Sequence, residues 1–276
     1  MKNAQMEHIL IQKINAGGIT DADDQVAIEE PLEIQLAYST STGRVQKNIA
    51  VTMRTPGNDE ELAAGFLFTE GIIQNKESIL DIKELAFDEN KALVTLRENI
   101  QPNLASVSRN FYATSSCGIC GKASIDAIRT VACYRNEKDN ISIATSVLFH
   151  LQDSLRNHQV AFQNTGGIHA SALFSLEGNF IMLREDVGRH NALDKIIGAA
   201  LLGEQLPLAN GILFLSGRAS FELVQKAMMA GIKIIAAVGA PSSLAVELAR
   251  ESDITLIGFL RNNRFNIYSG SQRIVL

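Results

Sequence analysis

Two thiols, Cys117 and Cys120, stand three positions apart in the run Ser115-Ser116-Cys117-Gly118-Ile119-Cys120-Gly121-Lys122. A glycine follows each, so the loop can take backbone conformations closed to other residues and leaves both sulfurs uncovered. The run leads into a helix predicted over Ala123–Ala132, beginning near Lys122. A helix N-terminus and an adjacent lysine both favour thiolate over thiol, the form that attacks a sulfur donor or binds a metal. Three chemistries compete: nucleophilic sulfur transfer through a persulfide, half of a zinc site, and a thioredoxin-like dithiol. A structural zinc site needs about four ligands, and the third cysteine, Cys133, stands alone among Ile128, Val131 and Ala132, as a buried small hydrophobe would. The neighbouring elements do not read as the βαβ start of a thioredoxin.

A second constellation lies in the C-terminal half. Thr165-Gly166-Gly167-Ile168-His169 precedes a predicted hairpin, and Arg184-Glu185-Asp186-Val187-Gly188-Arg189-His190-Asn191 leads from it to a helix. Ser216-Gly217-Arg218-Ala219-Ser220 and Val238-Gly239-Ala240-Pro241-Ser242-Ser243 each join a strand to a helix. In open α/β sheets such turns gather where ligands bind, and helix N-termini with free amides favour phosphate. Arg189 and Arg218 can neutralise a diphosphate in bidentate fashion, and Asp186 could accept from a guanine edge. These turns read together as a nucleotide-type pocket. No Walker A run and no Gly-x-Gly-x-x-Gly fingerprint is present, which disfavours a P-loop NTPase or a standard dinucleotide dehydrogenase.

These residues need elements to hold them. Residues 1–24 are expected to be loosely held. Leu32, Ile34 and Leu36 alternate with Glu33, Gln35 and Ala37, the pattern of a half-buried strand, and Val45–Met53 reads as its return. Asn58, with Glu61 three positions on, predicts a capping box, and Leu62, Phe66 and Ile73 give the helix its apolar face, with Gly71 at its end. Two strands, Ile82–Phe87 and Ala92–Leu96, are predicted to meet at Asp88-Glu89-Asn90. The order ββαββ predicts a small α+β domain over 25–114, followed by the cysteine loop at 115–122.

From 123 to 276 the reading is α/β. A helix over Ser146–Asn157 leads to a hairpin of Ser171–Leu176 and Phe180–Arg184 turning at Glu177-Gly178-Asn179. A helix on Ala192, Leu193, Ile196, Ile197, Ala200 and Leu201 follows, and strands then alternate with helices, which predicts a mostly parallel sheet covered on both faces.

Composition narrows the partners. The chain has 276 residues, 46% hydrophobic, with 25 Lys and Arg against 30 Asp and Glu. A formal charge of −5 argues against a general nucleic-acid binder, and 6% aromatics with no Trp supply no stacking platform. No apolar run has the length of a membrane span, and the N-terminus lacks an apolar signal core, so the expected compartment is the cytoplasm. Three cysteines do not suit a secreted disulfide framework.

The chain resembles the FdhD family, sulfur carriers required for active formate dehydrogenase. The resemblance runs from Glu29-Glu30-Pro31-Leu32 to the last strand. It rests on Ser116-Cys117-Gly118-Ile119-Cys120-Gly121, on Phe162-Gln163-Asn164-Thr165-Gly166-Gly167-Ile168-His169, on Arg184 through Lys195, and on Ser216-Gly217-Arg218-Ala219-Ser220. It implies a sulfurtransferase. A cysteine desulfurase would load the Cys117/Cys120 loop with persulfide sulfur, Cys117 being the more critical. The loop would pass the sulfur to a molybdenum or tungsten bis-guanine-dinucleotide cofactor destined for formate dehydrogenase. It further implies binding of GDP-like nucleotides, a homodimer, and a cytidine-deaminase-like α/β/α sandwich in the C-terminal half. A two-fold dimer presents the same pocket twice, so one bis-nucleotide could engage both copies, and no residue is assigned to a metal. His169, Asp186, Arg189, Ser216 and Arg218 are the candidate cofactor contacts.

Two rival functions are distinguishable. Zinc deaminases carry His-x-Glu ahead of a Cys-x-x-Cys. Here His169 is followed by Ala170 and Ser171, and the cysteine pair precedes the histidine. A non-catalytic assembly chaperone would tolerate Cys117→Ala, which a sulfur carrier would not.

Overall fold

The computed structural model describes residues 5–85, 88–104, 134 and 139–276. The cysteine loop at 115–122, the helix predicted over Ala123–Ala132, Cys133, and the predicted strand end at Phe87 lie outside the described residues.

The chain opens with an element the sequence reading did not assign. β1 (Met6–Asn15) and β2 (Gly18–Ala27) form an antiparallel hairpin, paired from Met6↔Ala27 to Asn15↔Gly18. The connection is two residues, Ala16 and Gly17, and Gly18 after it takes a positive φ open to glycine without strain. Leu10, Ile14 and Ile19 on its outer half are exposed.

The ββαββ order is present. β3 (Glu30–Thr40), β4 (Gly43–Arg54), α1 (Asp59–Thr69), β5 (Ile79–Leu85) and β6 (Asp88–Leu96) follow in turn. The sheet order is β4-β3-β6-β5, with β3 and β6 parallel. Asp88, Glu89 and Asn90, expected in the turn, belong to β6 instead. The predicted capping box is not made. Asn58 takes a left-handed conformation after Gly57, its side chain caps nothing, and Glu61 instead accepts from Arg184 Nη2 at 2.7 Å. Asp59 pairs with the buried Arg54, which also reaches Glu30 at 3.2 Å. Burial surrounds α1 more widely than one face of Leu62 and Phe66: Ala63, Ala64, Leu67 and Phe68 are all fully buried.

The reason is a second layer. In the C-terminal half, β7 (Ile143–Ala144), α2 (Thr145–His158), α3 (Val160–Thr165), β8 (His169–Ser175), β9 (Phe180–Asp186) and α4 (Arg189–Leu202) lead into an alternating run. That run is β10 (Gly211–Leu215), α5 (Phe221–Met229), β11 (Ile234–Ala237), α6 (Ser243–Glu251), β12 (Thr255–Arg261), β13 (Arg264–Ser269) and the short β14 (Ile274–Val275). α4 lies on α1 at very short range. A Cβ on Gly65 would stand 1.9 Å from the Asp194 carbonyl oxygen, and one on Gly198 1.8 Å from that of Glu61. Beside this crossing, Lys226 Nζ meets Asp194 Oδ2 and Thr69 Oγ1, each at 2.9 Å, joining α1, α4 and α5.

The six-stranded sheet runs β13-β12-β11-β10-β8-β9. Only β10–β11 and β11–β12 are parallel, so the expectation of a mostly parallel sheet is corrected to a mixed one. Short turns can join only antiparallel neighbours, and two such hairpins, β8–β9 and β12–β13, flank the parallel centre. Leu148, Leu151 and Leu155 of α2 pack on one face through Phe174 and Phe214. On the other face one continuous core joins Leu213, Ile235 and Leu256 to α4 and on to Leu32 and Leu36 of β3.

Candidate functional site

The turn from β9 into α4 rests on a buried ion pair. Asp186 and Lys195 have no exposed side-chain surface, and Lys195 Nζ lies 2.7 Å from Asp186 Oδ2. The same oxygen accepts from the Thr55 amide at 3.2 Å. Oδ1 accepts from the Gly188 amide at 2.8 Å and from Asn191 Nδ2 at 3.1 Å. Lys195 donates onward to the Thr55 carbonyl at 2.9 Å, and Thr55 Oγ1 accepts from the Val187 amide at 3.2 Å. Burial pushes the Asp186 carboxyl up, against the pull of Lys195 and the amide donors. Every acceptor position of Asp186 faces protein. In this arrangement Asp186 positions the turn.

Glu185, one residue earlier, accepts from the Ala161 and Phe162 amides at 3.0 and 2.9 Å and so caps α3, whose last turn ends at Gly166 in a left-handed conformation. Burial raises its pKa, opposed by those two amides. The Gly166-Gly167 turn is thereby tied to the same strand end.

His169 begins β8 opposite Asp186. Its Nδ1 lies 3.3 Å from where a Gly217 side chain would start. Burial, then the charge of Arg189, then His190 hold its pKa below the ordinary histidine value, with Asp186 opposing. It is therefore neutral at pH 7, with one ring nitrogen able to donate and the other to accept. Ser216 extends the β8–β10 ladder: its amide donates to the Ala170 carbonyl at 3.0 Å, and its Oγ accepts from the Ala170 amide at 2.8 Å. Arg218 is exposed. It backs onto Gly239, where a Cβ would lie 2.9 Å from Arg218 Cα, and Gly239 donates to the Gly217 carbonyl at 2.9 Å. The turns after β10 and β11 thus lie side by side.

The structure brings His169, Arg189 and the Ser216–Gly217 turn into one neighbourhood, with Arg218 on its outer side. Arg189 opens α4, and its buried Nε has no hydrogen-bond partner among the described residues. Neither α4 nor α5 is capped by the side chain of its own N-cap residue, Gly188 and Ser220. His190 Nε2 bonds Glu222 Oε2 at 2.9 Å and lies 3.4 Å from Ser220 Oγ, linking the two first turns. With Asp186 paired to Lys195 and Glu222 engaged by His190, Arg189 and Arg218 have no carboxylate partner among the described residues. Two cations beside two helix starts suit a phosphate-bearing ligand. Among the described residues, no group of three or more His, Cys, Asp or Glu is placed to hold a metal, and no helix is long and apolar enough to cross a membrane.

The sequence matches the FdhD/NarQ family over residues 27–275. The chain belongs to that family. The Sulfur carrier protein FdhD of Mycolicibacterium paratuberculosis is 46% identical over 271 residues, 96% of this chain and 97% of that one. The protein of the same name from Sulfolobus acidocaldarius is 41% identical, covering 99% of this chain and 100% of its own. The crystal structure of a putative formate dehydrogenase accessory protein from Desulfotalea psychrophila superposes with a TM-score of 0.73 at 26% identity, over 99% of this chain and 100% of that one.

Within this FdhD/NarQ chain, four residues at the site were not anticipated as contributors: Thr55, Lys195, His190 and Glu222. Lys195 and His190 stand inside the Arg184–Lys195 block, where a lysine nine positions after an aspartate carries no spacing signal of its own. Thr55 had only the turn-like Thr55-Pro56-Gly57 to mark it. The relation of Cys117 and Cys120 to these turns lies outside the described residues.

Proposed function

We propose that this protein is a sulfurtransferase that carries persulfide sulfur from a cysteine desulfurase to the molybdenum or tungsten bis-guanine-dinucleotide cofactor of formate dehydrogenase. The observation that carries the reading is near-full-length similarity to proteins named sulfur carriers, in a chain that holds the Cys117/Cys120 pair. In the loading step, a loop thiolate attacks the outer sulfur of the desulfurase persulfide. The desulfurase cysteine leaves as thiolate, and the loop keeps the sulfur as a new persulfide. The cofactor is the acceptor substrate. Its diphosphates are polyanionic, and the cluster of Arg189, Arg218 and two helix starts offers complementary charge. His169 and Ser216 flank that cluster as further contacts, and Asp186 holds it in place.

The remaining parts of the reading are a cytoplasmic protein, a homodimer in which one cofactor engages two copies of the pocket, a second domain of cytidine-deaminase-like type, and GDP-like nucleotides as ligands of the same turns. The test is mass spectrometry after incubation with a desulfurase and cysteine. An added mass of about 32 Da, one sulfur, on the peptide with Cys117 and Cys120 is expected. An unmodified peptide under an active desulfurase overturns the carrier role, and full formate dehydrogenase activation by a Cys117→Ala chain would favour a non-catalytic chaperone.

A further inference from the structure

A groove of about 570 Å³ lies between α2 and the β12–β13 turn, lined by Gln152, Arg156, Val238, Arg261, Asn262 and Asn263. Its charges do not balance. Arg261 Nη1 donates to the carbonyls of Val238 and Leu260 at 2.8 and 2.9 Å, which fixes the guanidinium plane, and no carboxylate among the described residues pairs with it. Arg156 approaches Asp153 only at 4.0 Å, with both side chains more than half exposed. Both Asp153 oxygens already accept from Asn262 Nδ2, at 3.1 and 3.0 Å. Arg261 thus has no acid among the described residues, and the one acid near Arg156 is already engaged.

A second observation is independent of charge. Gln152 is 7% exposed, lines the groove, and has no side-chain hydrogen-bond partner among the described residues. Its amide is not enclosed: it reaches the solvent of the groove and is open to a ligand. Val238 is also the residue next to Gly239, which packs on Arg218. The groove thus continues the same sheet edge, at the carboxyl ends of β11 and β12, where open α/β sheets take ligands.

We propose that this groove is a second anion site, separate from the Arg189/Arg218 turns, and that it takes a diphosphate group. Arg261 supplies a pre-oriented fork, Arg156 a mobile one, and Gln152 and Asn263 supply amide donors to the remaining oxygens. The site stands on its own residues and does not depend on the sulfur-carrier reading.

Calorimetric titration of the full chain with inorganic pyrophosphate tests it. Two equivalents are expected to bind per chain. Arg156→Glu, at an exposed position, should weaken one of them at least about tenfold and leave the other. Arg261→Lys, which keeps the charge but loses the fork, should weaken the same one. Arg218→Glu should remove only the other. A single equivalent untouched by Arg156→Glu and Arg261→Lys, or no binding, overturns the proposal. A single equivalent lost in Arg156→Glu but indifferent to Arg218→Glu keeps the groove and overturns the phosphate role of the turns. Displacement of pyrophosphate from the groove by a nucleoside diphosphate would assign the diphosphate to a nucleotide. Failure to displace it would assign a free phosphate, and either result keeps the site.

Discussion

Gly65 of α1 and Gly198 of α4 meet backbone to backbone, with the Cβ position of each less than 2 Å from a carbonyl oxygen of the other helix. The atoms in the way are main chain and cannot rotate aside. Gly198→Ala is expected to push the helices apart and cost about 3 kcal/mol or more, at or above the upper end for overpacking. Urea denaturation should show the loss as a lower midpoint. An unchanged midpoint would mean that the two helices have slack.

Lys195→Met should be more damaging than an ordinary surface change. It leaves the Asp186 carboxylate buried without its cation, a situation that typically costs about 3–5 kcal/mol. Pairing it with Asp186→Asn removes the orphaned charge and should recover part of the loss. A double variant no more stable than the single would contradict the pairing.

The two arginines make a distinct prediction. Arg189→Gln and Arg218→Gln should each weaken GDP binding about 10- to 100-fold, the range for losing a charge-assisted hydrogen bond of about 1.5–3 kcal/mol. Arg218 is exposed, so its variant should melt at the wild-type temperature. Equal affinity in both variants would remove the phosphate role from these turns.

His169 sets a pH dependence. Its folded pKa lies below the ordinary value of about 6.5. The unfolded chain therefore binds the proton first, and stability falls as pH drops from about 6.5 through the folded pKa. His169→Gln should flatten that part of the melting curve. In NMR titration the His169 ring should change state below 6.5, and an anionic ligand that offsets Arg189 should move the midpoint up. A midpoint above 6.5 without ligand would contradict this environment.

Much of the scaffold was readable in the sequence because local signals agreed with burial. α4 shows its apolar residues at helical spacing and ends at Gly203, and the β8–β9 hairpin turns at Glu177-Gly178-Asn179 as expected. The β1–β2 hairpin was not readable. Ile9, Leu10 and Ile11 run consecutively, so no alternation marks a buried face, and the hairpin makes none of the main core. The site was legible as a set of turns but not in its inner roles. Asp186 reads as a ligand-facing acid, and its bond to Thr55, 131 positions earlier, leaves no mark in the sequence. Glu61 likewise looks like a cap until Arg184, 123 positions later, takes it. Sequence proximity suggests local partners, and long-range ones won in both cases.

The last three residues of β9 point their bonds three ways: Arg184 to Glu61 on α1, Glu185 to the start of α3, and Asp186 to Lys195 and Thr55. One short stretch of chain therefore anchors the diglycine corner, the first half of the molecule and the base of α4 together. A slide of that stretch by a single rung would drag all three at once, so the loops around it gain or lose their alignment collectively rather than one by one.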